Sequence, residues 1–253
     1  MKNIGYQLAA AITFFTRIPL WKIIEIPAES FKKILWCWPL SGWITGGFTA
    51  LAWLGFSMFF PTAISLVLAF LIKIILTGGL HEDGLVDFFD GFGGGSTKED
   101  TLRIMKDSHT GSYALIGMIF YYLLLFNVMV VVPKELIAAV IFTADPFSKM
   151  ITVLMINQLP YARNVEQSKS KTLFDKLHFM QIIAALLFGL LPIMLLLQTK
   201  LWLAIILPLA TAFFIFKLAK RKIGGYTGDI CGATALLCEL SFILALYFIV
   251  HNY

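Results

Sequence analysis

The sequence predicts an all-α fold: a polytopic integral-membrane helical bundle with about seven spans and its polar loops gathered on one side. Of the 253 residues, 59% are hydrophobic and only 14% are charged, a composition typical of membrane proteins rather than soluble domains. The apolar residues form long runs that short or polar connections separate. No internal repeat or soluble region interrupts this pattern, so we expect residues 1–253 to form a single membrane-embedded domain.

Seven apolar stretches follow an amphipathic entry segment that covers residues 1–33. Each stretch is long enough, or nearly so, to cross a bilayer, which takes about 20 residues of helix. We place the spans at 34–58, 61–80, 112–132, 135–158, 179–197, 201–217 and 231–250. Arg17 and Pro19 interrupt the only early apolar run, so the N-terminus does not have the pattern of a cleavable signal.

Lysine and arginine residues indicate the orientation of these spans. Sixteen of the 20 lie in the entry segment and in loops 81–111, 159–178 and 217–230, whereas the short turns on the other side hold two. Because basic loops stay in the cytoplasm, we expect these loops on the cytoplasmic face of the cell (inner) membrane and the C-terminus outside. The lipid bilayer is therefore an expected partner, nucleic acid is not, and homo-oligomer formation stays open.

The stretch 81–91, HEDGLVDFFDG, gathers five ionisable residues in an otherwise apolar chain. In a helix, Asp83, Asp87 and Asp90 are spaced i, i+4 and i+7 and share one face. Three like charges repel, so they favour a bound cation, and Mg²⁺ prefers such oxygen ligands and holds substrate phosphates as well. We therefore predict that these three aspartates bind Mg²⁺ in a phosphoryl-transfer site. The alternative is a solvated acidic loop between two spans.

The rest of this loop adds residues that suit phosphate binding. Arg103 and Lys106 can neutralise phosphate charge, and glycines 93–95 can let backbone amides approach phosphate oxygens, although such a run is also typical of a flexible linker. Asp107 is a further candidate carboxylate. His81 is a candidate base, although an isolated loop histidine is more often an ordinary loop residue. Together these residues predict that the catalytic domain carries its active-site loops on the cytoplasmic side.

A second polar cluster, residues 220–233, lies at the mouth of the last predicted span. Its glycines surround Asp229 and indicate close backbone approach to a ligand or to a neighbouring helix. Four ionisable residues lie inside the spans, where they are costly in lipid and should face the bundle interior: Lys73, Asp145, Lys149 and Glu239. Asp145 and Lys149 are spaced i, i+4 and can pair with each other. Glu239 is a candidate to line the same cavity as Asp229.

Several motifs, in order along nearly the whole chain, resemble the cobalamin synthase family, the integral-membrane adenosylcobinamide-GDP ribazoletransferases of the late cobalamin pathway. The matching stretches are 76–87 (LTGGLHEDGLVD) with 90–91 (DG), 104–108 (IMKDS) with Gly111, 160–163 (PYAR), and 224–229 (GGYTGD) leading to Glu239. Weaker matches are at 15–19 and 39–42. Three positions depart from the family pattern: Lys149 stands where arginine is common, Leu236 where glutamate is common, and Glu82 where the residue is usually apolar.

The resemblance implies a transferase that joins adenosylcobinamide-GDP to α-ribazole or α-ribazole 5′-phosphate and releases GMP. The acceptor hydroxyl would attack the phosphorus attached to cobinamide, and Mg²⁺ would bridge the diphosphate oxygens. The residues implied in catalysis are His81, Asp83, Asp87, Asp90 and Asp107. The residues implied in substrate binding are Arg103, Lys106, Lys149, Arg163, Gly225, Thr227, Asp229 and Glu239.

Other classes of protein stay open on the sequence. A CDP-alcohol phosphotransferase also uses membrane helices with spaced aspartates, and 87–91 (DFFDG) fits the start of that pattern, but the expected Ala-Arg and the later paired aspartates are missing. A transporter or channel would place acidic residues near the bilayer midplane, whereas most of them lie here in loops or at span mouths. A structural scaffold would explain none of the acidic spacing.

Overall fold

The computed structural model describes residues 2–163 and 174–252, and it confirms the all-α bundle. Within these two ranges the only strand-like contact is one isolated parallel bridge, between Tyr161 and Tyr226. Part of the predicted loop 159–178, including Lys169 and Lys171, lies outside the described residues. The helices are α1 (Lys2–Phe15), α2 (Ala28–Phe31), α3 (Trp38–Phe56), α4 (Thr62–Thr77), α5 (Leu80–Gly94), α6 (Lys98–Ile104), α7 (Ser112–Val131), α8 (Lys134–Ile156), α9 (Phe179–Leu190), α10 (Ile206–Ile223) and α11 (Gly228–Asn252).

The prediction of about seven membrane spans is not confirmed. Among the described residues, four helices are long and apolar enough to cross a bilayer: α7, α8, α11 and the stretch Lys200–Ile223. The bent pair of α4 and α5 makes a fifth if it counts as one span. Of the other predicted spans, α9 has only 12 residues and ends shortly before Pro192, and the 19-residue α3 is not among the helices that are long and apolar enough. Apolar content along a window does not show where a helix stops.

Helices α8 and α11 form the centre of the bundle. In their membrane-length windows 78% and 61% of the residues are buried, against 28% in α7 and 33% in the stretch Lys200–Ile223. The outer helices expose large apolar side chains, such as Phe120 and Phe214, as expected for surfaces that face lipid. Helix α3 packs closely on α8 because Gly42 has no side chain: a Cβ there would lie 2.6 Å from the Cα of Pro146.

A sharp turn between α4 and α5 carries the acidic stretch across the end of the bundle. The two helices meet at 92°. Gly78 and Gly79 form the turn with φ of 69° and 72°, a left-handed conformation that favours glycine, and the N–H of Gly79 donates to the carbonyl of Ile74 (3.1 Å). Helix α5 therefore starts at Leu80, beside the ends of α1 and α11.

The isolated bridge joins the segment after α8 to the segment before α11. The N–H of Ala162 donates to the carbonyl of Tyr226 (2.9 Å), and the N–H of Tyr226 donates to the carbonyl of Pro160 (3.0 Å). The polar segments that begin after α4, α8 and α10 thus meet at one end of the bundle. This convergence agrees with the prediction that the polar loops gather on one side of the bundle.

Candidate active site

A cavity of about 760 Å³ lies at this end of the bundle, where α1, α5 and α11 meet. Its lining has two chemically distinct parts. The polar part comes from α5, the start of α11 and segment 160–163, and the apolar part comes from α1, residues 35–38, the end of α8 and Phe174. The lining residues are Phe14, Phe15, Leu35, Trp38, Leu80, His81, Asp83, Ile156, Tyr161, Arg163, Phe174, Gly228, Asp229, Cys231 and Gly232.

Arg163 and Asp229 form a buried ion pair on the polar side of the cavity. The Nη1 atom of Arg163 lies 3.2 Å from Oδ2 of Asp229. The bridge between Tyr161 and Tyr226 brings the two residues together, since each lies two or three positions beyond it. In the described part of the chain, Nε and Nη2 of Arg163 have no hydrogen-bond acceptor. Buried donors without an acceptor are costly, so an anion bound in the cavity would stabilise this arrangement.

Two glycines let α5 and α11 touch backbone to backbone. A Cβ on Gly84 would lie 2.7 Å from the carbonyl oxygen of Asp229, and a Cβ on Gly232 would lie 3.1 Å from that of His81. Of the two roles predicted for the glycines near Asp229, contact with a neighbouring helix therefore applies to Gly232. The contact also brings Asp83 of α5 and Asp229 of α11 to the same cavity.

Gly225 and Thr227, predicted to bind substrate, make contacts within the protein instead. Gly225 packs against the backbone of Pro160 in the bridge, where a Cβ would lie 3.1 Å from the carbonyl carbon. Thr227 is fully buried, and its hydroxyl accepts a hydrogen bond from the N–H of Ile230 (3.3 Å) near the start of α11. Neither residue lines the cavity. Both shape the backbone that positions Asp229.

The structure confirms that Asp83, Asp87 and Asp90 share one helix, but it does not gather their carboxylates at one point. Asp83 lines the cavity, whereas buried Asp90 accepts hydrogen bonds from the N–H groups of Gly111 (2.6 Å) and Ala114 (2.8 Å) and so caps α7. Seven residues of helix rise by about 10 Å, too far for one ion to bind both ends. Among the described residues, no three His, Cys, Asp or Glu side chains lie close enough to hold a metal.

His81 lies between the large cavity and a smaller one of about 240 Å³. Its side chain is buried, and its ring centroid lies 5.7 Å from that of Trp38. No described residue forms a hydrogen bond with its Nε2 atom. His81, the candidate base of the sequence analysis, therefore lies in the lining of the large cavity.

Lys149 and Glu239, also predicted to bind substrate, belong to a buried charge network that lines the smaller cavity. Lys73 donates to both carboxylate oxygens of Glu239 (2.5 and 2.6 Å) and lies 3.5 Å from Asp145. Asp145 also pairs with Lys149, which confirms the predicted i, i+4 pair, and Thr45 contacts both of them (2.6 and 2.7 Å). Two lysines thus balance two carboxylates, and Glu239 does not line the cavity of Asp229.

Glu82 and Leu236, two of the departures from the family pattern, face this same smaller cavity. A second small cavity beside it is lined by the same two residues, together with Lys73 and Glu239. A glutamate at position 82 of α5 therefore supplies a carboxylate to the space that position 236 of α11 borders. The two departures are neighbours in the fold although 154 positions separate them in the sequence.

Arg103, Lys106 and Asp107 do not line the large cavity. All three are exposed, on α6 or just after it. Arg103 pairs with Asp100 (3.3 Å), and Asp107 accepts a hydrogen bond from the backbone N–H of His109 (3.0 Å) and contacts its ring (2.7 Å). These bonds from His109, chiefly the backbone one, hold the pKa of Asp107 below its ordinary value. The residues of this loop predicted to bind phosphate therefore lie outside the lining of the large cavity.

The glycine run that follows α5 packs against neighbouring side chains. A Cβ on Gly93 would lie 2.5 Å from the ring of Tyr113 in α7. From α10, Lys222 donates to the carbonyl of Phe92 near the end of α5 (2.6 Å). The glycines here fit close helix packing, and the basic cluster of α10 anchors it to α5.

The comparisons with family profiles and with known proteins indicate the same family. The profile of the family described as Cobalamin-5-phosphate synthase matches residues 7–247. A protein of Shewanella sp. (strain W3-18-1) named adenosylcobinamide-GDP ribazoletransferase is 34% identical over 233 residues, which cover 91% of this chain and 89% of that protein. Proteins of the same name from Shewanella putrefaciens and Shewanella oneidensis show the same identity and coverage. No solved structure matches the chain.

This chain belongs to the cobalamin-5-phosphate synthase family. The resemblance that the motifs indicated is therefore confirmed, and the family places the chain among the transferases. Residues 7–247, which match the synthase family, include every residue that lines the large cavity, from Phe14 to Gly232. The cavity is thus formed entirely by the part of the chain that defines the family.

The stronger synthase motifs did not point to the apolar half of the cavity. Phe14, Phe15, Trp38 and Phe174 line it, and none of them was a candidate site residue. A signal was present in the weaker motif matches. Phe15 begins the match at 15–19, and Trp38 directly precedes the match at 39–42.

Proposed function

We propose that this chain joins adenosylcobinamide-GDP to α-ribazole or α-ribazole 5′-phosphate at the large cavity, in a late step of cobalamin biosynthesis. Membership of the family supports the reaction. The observation that carries its location is Arg163, a buried guanidinium with two nitrogen atoms that lack an acceptor among the described residues, beside Asp83 and Asp229. A diphosphate supplies the paired anionic acceptors that such a guanidinium binds best.

The transfer forms one P–O bond and breaks another. A hydroxyl oxygen of α-ribazole attacks the phosphorus attached to cobinamide, and the bond from that phosphorus to the bridging oxygen breaks, so that GMP leaves with this oxygen. Arg163 holds the diphosphate and offsets the negative charge that grows on the leaving phosphate. His81, which lines the same cavity, is the group that we propose accepts the hydroxyl proton.

Asp83 and Asp87 are the residues that fit Mg²⁺. They are spaced i, i+4 on α5, about 6 Å apart along the helix axis, and Mg²⁺ is usually held by one or two carboxylates together with substrate phosphates and waters. Such a site does not need the third protein ligand that Asp90 would have supplied. When bound, Mg²⁺ would neutralise diphosphate oxygens and align them.

We further propose that the cavity faces the cytoplasm and that the chain resides in the inner membrane. The end of α10 carries four basic residues, Lys217, Lys220, Arg221 and Lys222. This end connects through residues 224–227 to the start of α11, where the cavity lies. Basic segments stay on the cytoplasmic side, so the distribution of charge supports this orientation.

The test is a turnover assay on the purified full-length protein in detergent. Adenosylcobinamide-GDP and α-ribazole are supplied with Mg²⁺ or with EDTA, and chromatography detects adenosylcobalamin and GMP. We expect product only with Mg²⁺, and we expect Asp87→Asn to lower turnover on the order of 100-fold because the amide is a poorer metal ligand.

Glu99→Gln is the matched control, since it makes the same carboxyl-to-amide change at an exposed position on neighbouring α6. It should leave turnover unchanged. Product that is insensitive to EDTA and to Asp87→Asn would keep the reaction but overturn the metal site. No product from a folded protein, under conditions in which a known synthase is active, would overturn the proposed reaction, and CDP-activated lipids would then be tested as substrates.

A further inference from the structure

The apolar half of the large cavity is a continuous aromatic surface, here called the aromatic wall: Phe14, Phe15, Leu35, Trp38, Ile156 and Phe174. The rings of Phe15 and Trp38 are stacked, with centroids 4.9 Å apart and planes 5° from parallel. Phe14 contacts Phe15 and Phe174 edge to face, at 5.0 and 5.7 Å between centroids. Rings held in this way form a surface that suits a flat apolar ligand.

The aromatic wall contains one polar atom in its side chains, the Nε1 of Trp38. The side chain is 3% exposed, and this N–H has no hydrogen-bond acceptor among residues 2–163 and 174–252. The other five side chains of the wall carry neither donor nor acceptor. The side chains of the wall therefore carry one donor and no acceptor, and a buried donor without a partner favours a ligand that accepts from it.

We infer that the aromatic wall binds the base of the acceptor nucleoside, and that the Trp38 N–H donates to the unprotonated ring nitrogen of this base. The inference rests on the proposed function, and it adds where the acceptor binds and how its base is chosen. The base of α-ribazole is a flat benzimidazole with one bare ring nitrogen and no N–H. Its hydrogen-bonding groups therefore match those of the wall one to one.

The guanine of the donor, another flat base in the reaction, does not match. Guanine carries a ring N–H and an amino group, both of which require acceptors. On the aromatic wall these donors would be buried without partners, a mismatch that sites built for another hydrogen-bond pattern reject strongly. The wall thus selects the acceptor over the donor nucleotide, and the diphosphate keeps the polar side with Arg163.

The test uses two ligands and two matched variants. The ligands are α-ribazole and its analogue in which C–H replaces the bare ring nitrogen, an indole riboside of the same shape. Trp38→Phe removes the N–H and keeps an aromatic ring, and Trp21→Phe makes the same change at a position that is 54% exposed and outside the cavity. Equilibrium binding of each ligand to the full-length protein is measured in EDTA, with and without adenosylcobinamide-GDP, so that no turnover is needed.

We expect the wild type and Trp21→Phe to bind α-ribazole about tenfold more tightly than the analogue, as for one hydrogen bond gained. Trp38→Phe should bind α-ribazole about tenfold more weakly than wild type and should bind both ligands equally. Its affinity for adenosylcobinamide-GDP, measured by the same equilibrium binding, should stay within about twofold of wild type.

Equal binding of the two ligands by the wild type would overturn the inference without any variant. The inference would also be overturned if Trp38→Phe still bound α-ribazole about tenfold more tightly than the analogue, or if the wild type failed to bind α-ribazole in either condition. An effect of Trp38→Phe on donor binding alone would overturn it too, and would assign the wall to guanine. Discrimination by binding without any turnover would instead overturn the proposed reaction and leave the base site standing.

Discussion

The large cavity and the buried charge network are two groups of buried polar residues with opposite hydrogen-bond states. In the network, Lys73, Asp145, Lys149 and Glu239 satisfy one another across α4, α8 and α11. In the cavity, Trp38, His81 and Arg163 each have a buried nitrogen without a partner among the described residues. The four charged residues of the network have partners without a ligand, although the neighbouring Oε2 of Glu82 has none among the described residues. The large cavity has three residues that each lack a partner for a buried nitrogen.

This difference separates two reasons for placing charge in a membrane bundle. A neutral, mutually paired network stabilises helix positions, and removing one member leaves a buried charge uncompensated. Buried nitrogens without a partner, on residues that line one cavity, reduce stability unless a ligand binds. The comparison predicts that network variants lose stability first and that cavity variants lose activity first.

The largest effect is expected from Lys73→Met, which leaves Glu239 without its cation. We expect unfolding to become easier by about 3–5 kcal/mol, with or without substrate. SDS-driven unfolding in mixed micelles measures this. The double variant Lys73→Met with Glu239→Leu should recover most of the loss, because Asp145 keeps Lys149 as its partner. Equal stability of Lys73→Met and wild type would show that the network is not a stabilising element.

Arg163→Ala is expected to have the opposite profile. Turnover per folded molecule should fall on the order of 100- to 1000-fold because the diphosphate loses its main donors. Stability should fall less than in Lys73→Met, because losing the buried pair with Asp229 is partly offset by removing two unpartnered buried nitrogens. Arg163→Lys should recover only part of the activity, since an ammonium keeps the charge but not the planar fork. A large loss of stability with normal turnover per folded molecule would mean that Arg163 stabilises the fold, like the charge network, and does not bind the diphosphate.

Asp90→Asn tests a residue that the spacing placed at the metal and the structure places at a helix end. The amide keeps one acceptor for α7 but loses the negative charge that favours the helix N-terminus, so we expect a loss of about 1–2 kcal/mol in stability. Turnover at a temperature where the variant is folded should stay near that of wild type. A loss of turnover as large as that of Asp87→Asn would restore Asp90 to the metal site.

Asp90 also shows what the sequence could and could not reveal. The helix and the i, i+4, i+7 spacing of its carboxylates are local properties, and both were predicted correctly. The partners of Asp90 are the N–H groups of Gly111 and Ala114, more than 20 positions further along the chain. Only the folded path of the chain sets such a distance, so the spacing could not show that this carboxylate is already engaged.

Prediction of the membrane spans and of the aromatic wall from the sequence was limited in the same way. Hydropathy identified the apolar stretches, but the turn at Gly78 and Gly79 bends the chain by 92° where a straight span was expected to end. The aromatic wall combines residues from α1, α3, α8 and the segment before α9, which no single motif contains. By contrast, the cost of charge in lipid correctly indicated that Asp145 and Lys149 would pair.

Arg103→Ala should have the smallest effect and so marks the boundary of the site. Its side chain is exposed, and among the described residues its only ion pair is with Asp100 on the same helix, at 3.3 Å. An exposed pair of this kind contributes about 0.5 kcal/mol or less to stability. We expect the free energy of unfolding to stay within about 0.5 kcal/mol of wild type and turnover to stay within about twofold, in the same assays as for Arg163→Ala. The two arginines then form a matched pair, one buried in the cavity and one outside it. A loss of turnover in Arg103→Ala comparable to that in Arg163→Ala would mean that α6 moves toward the cavity when substrate binds, and the polar side of the site would have to be extended to include it.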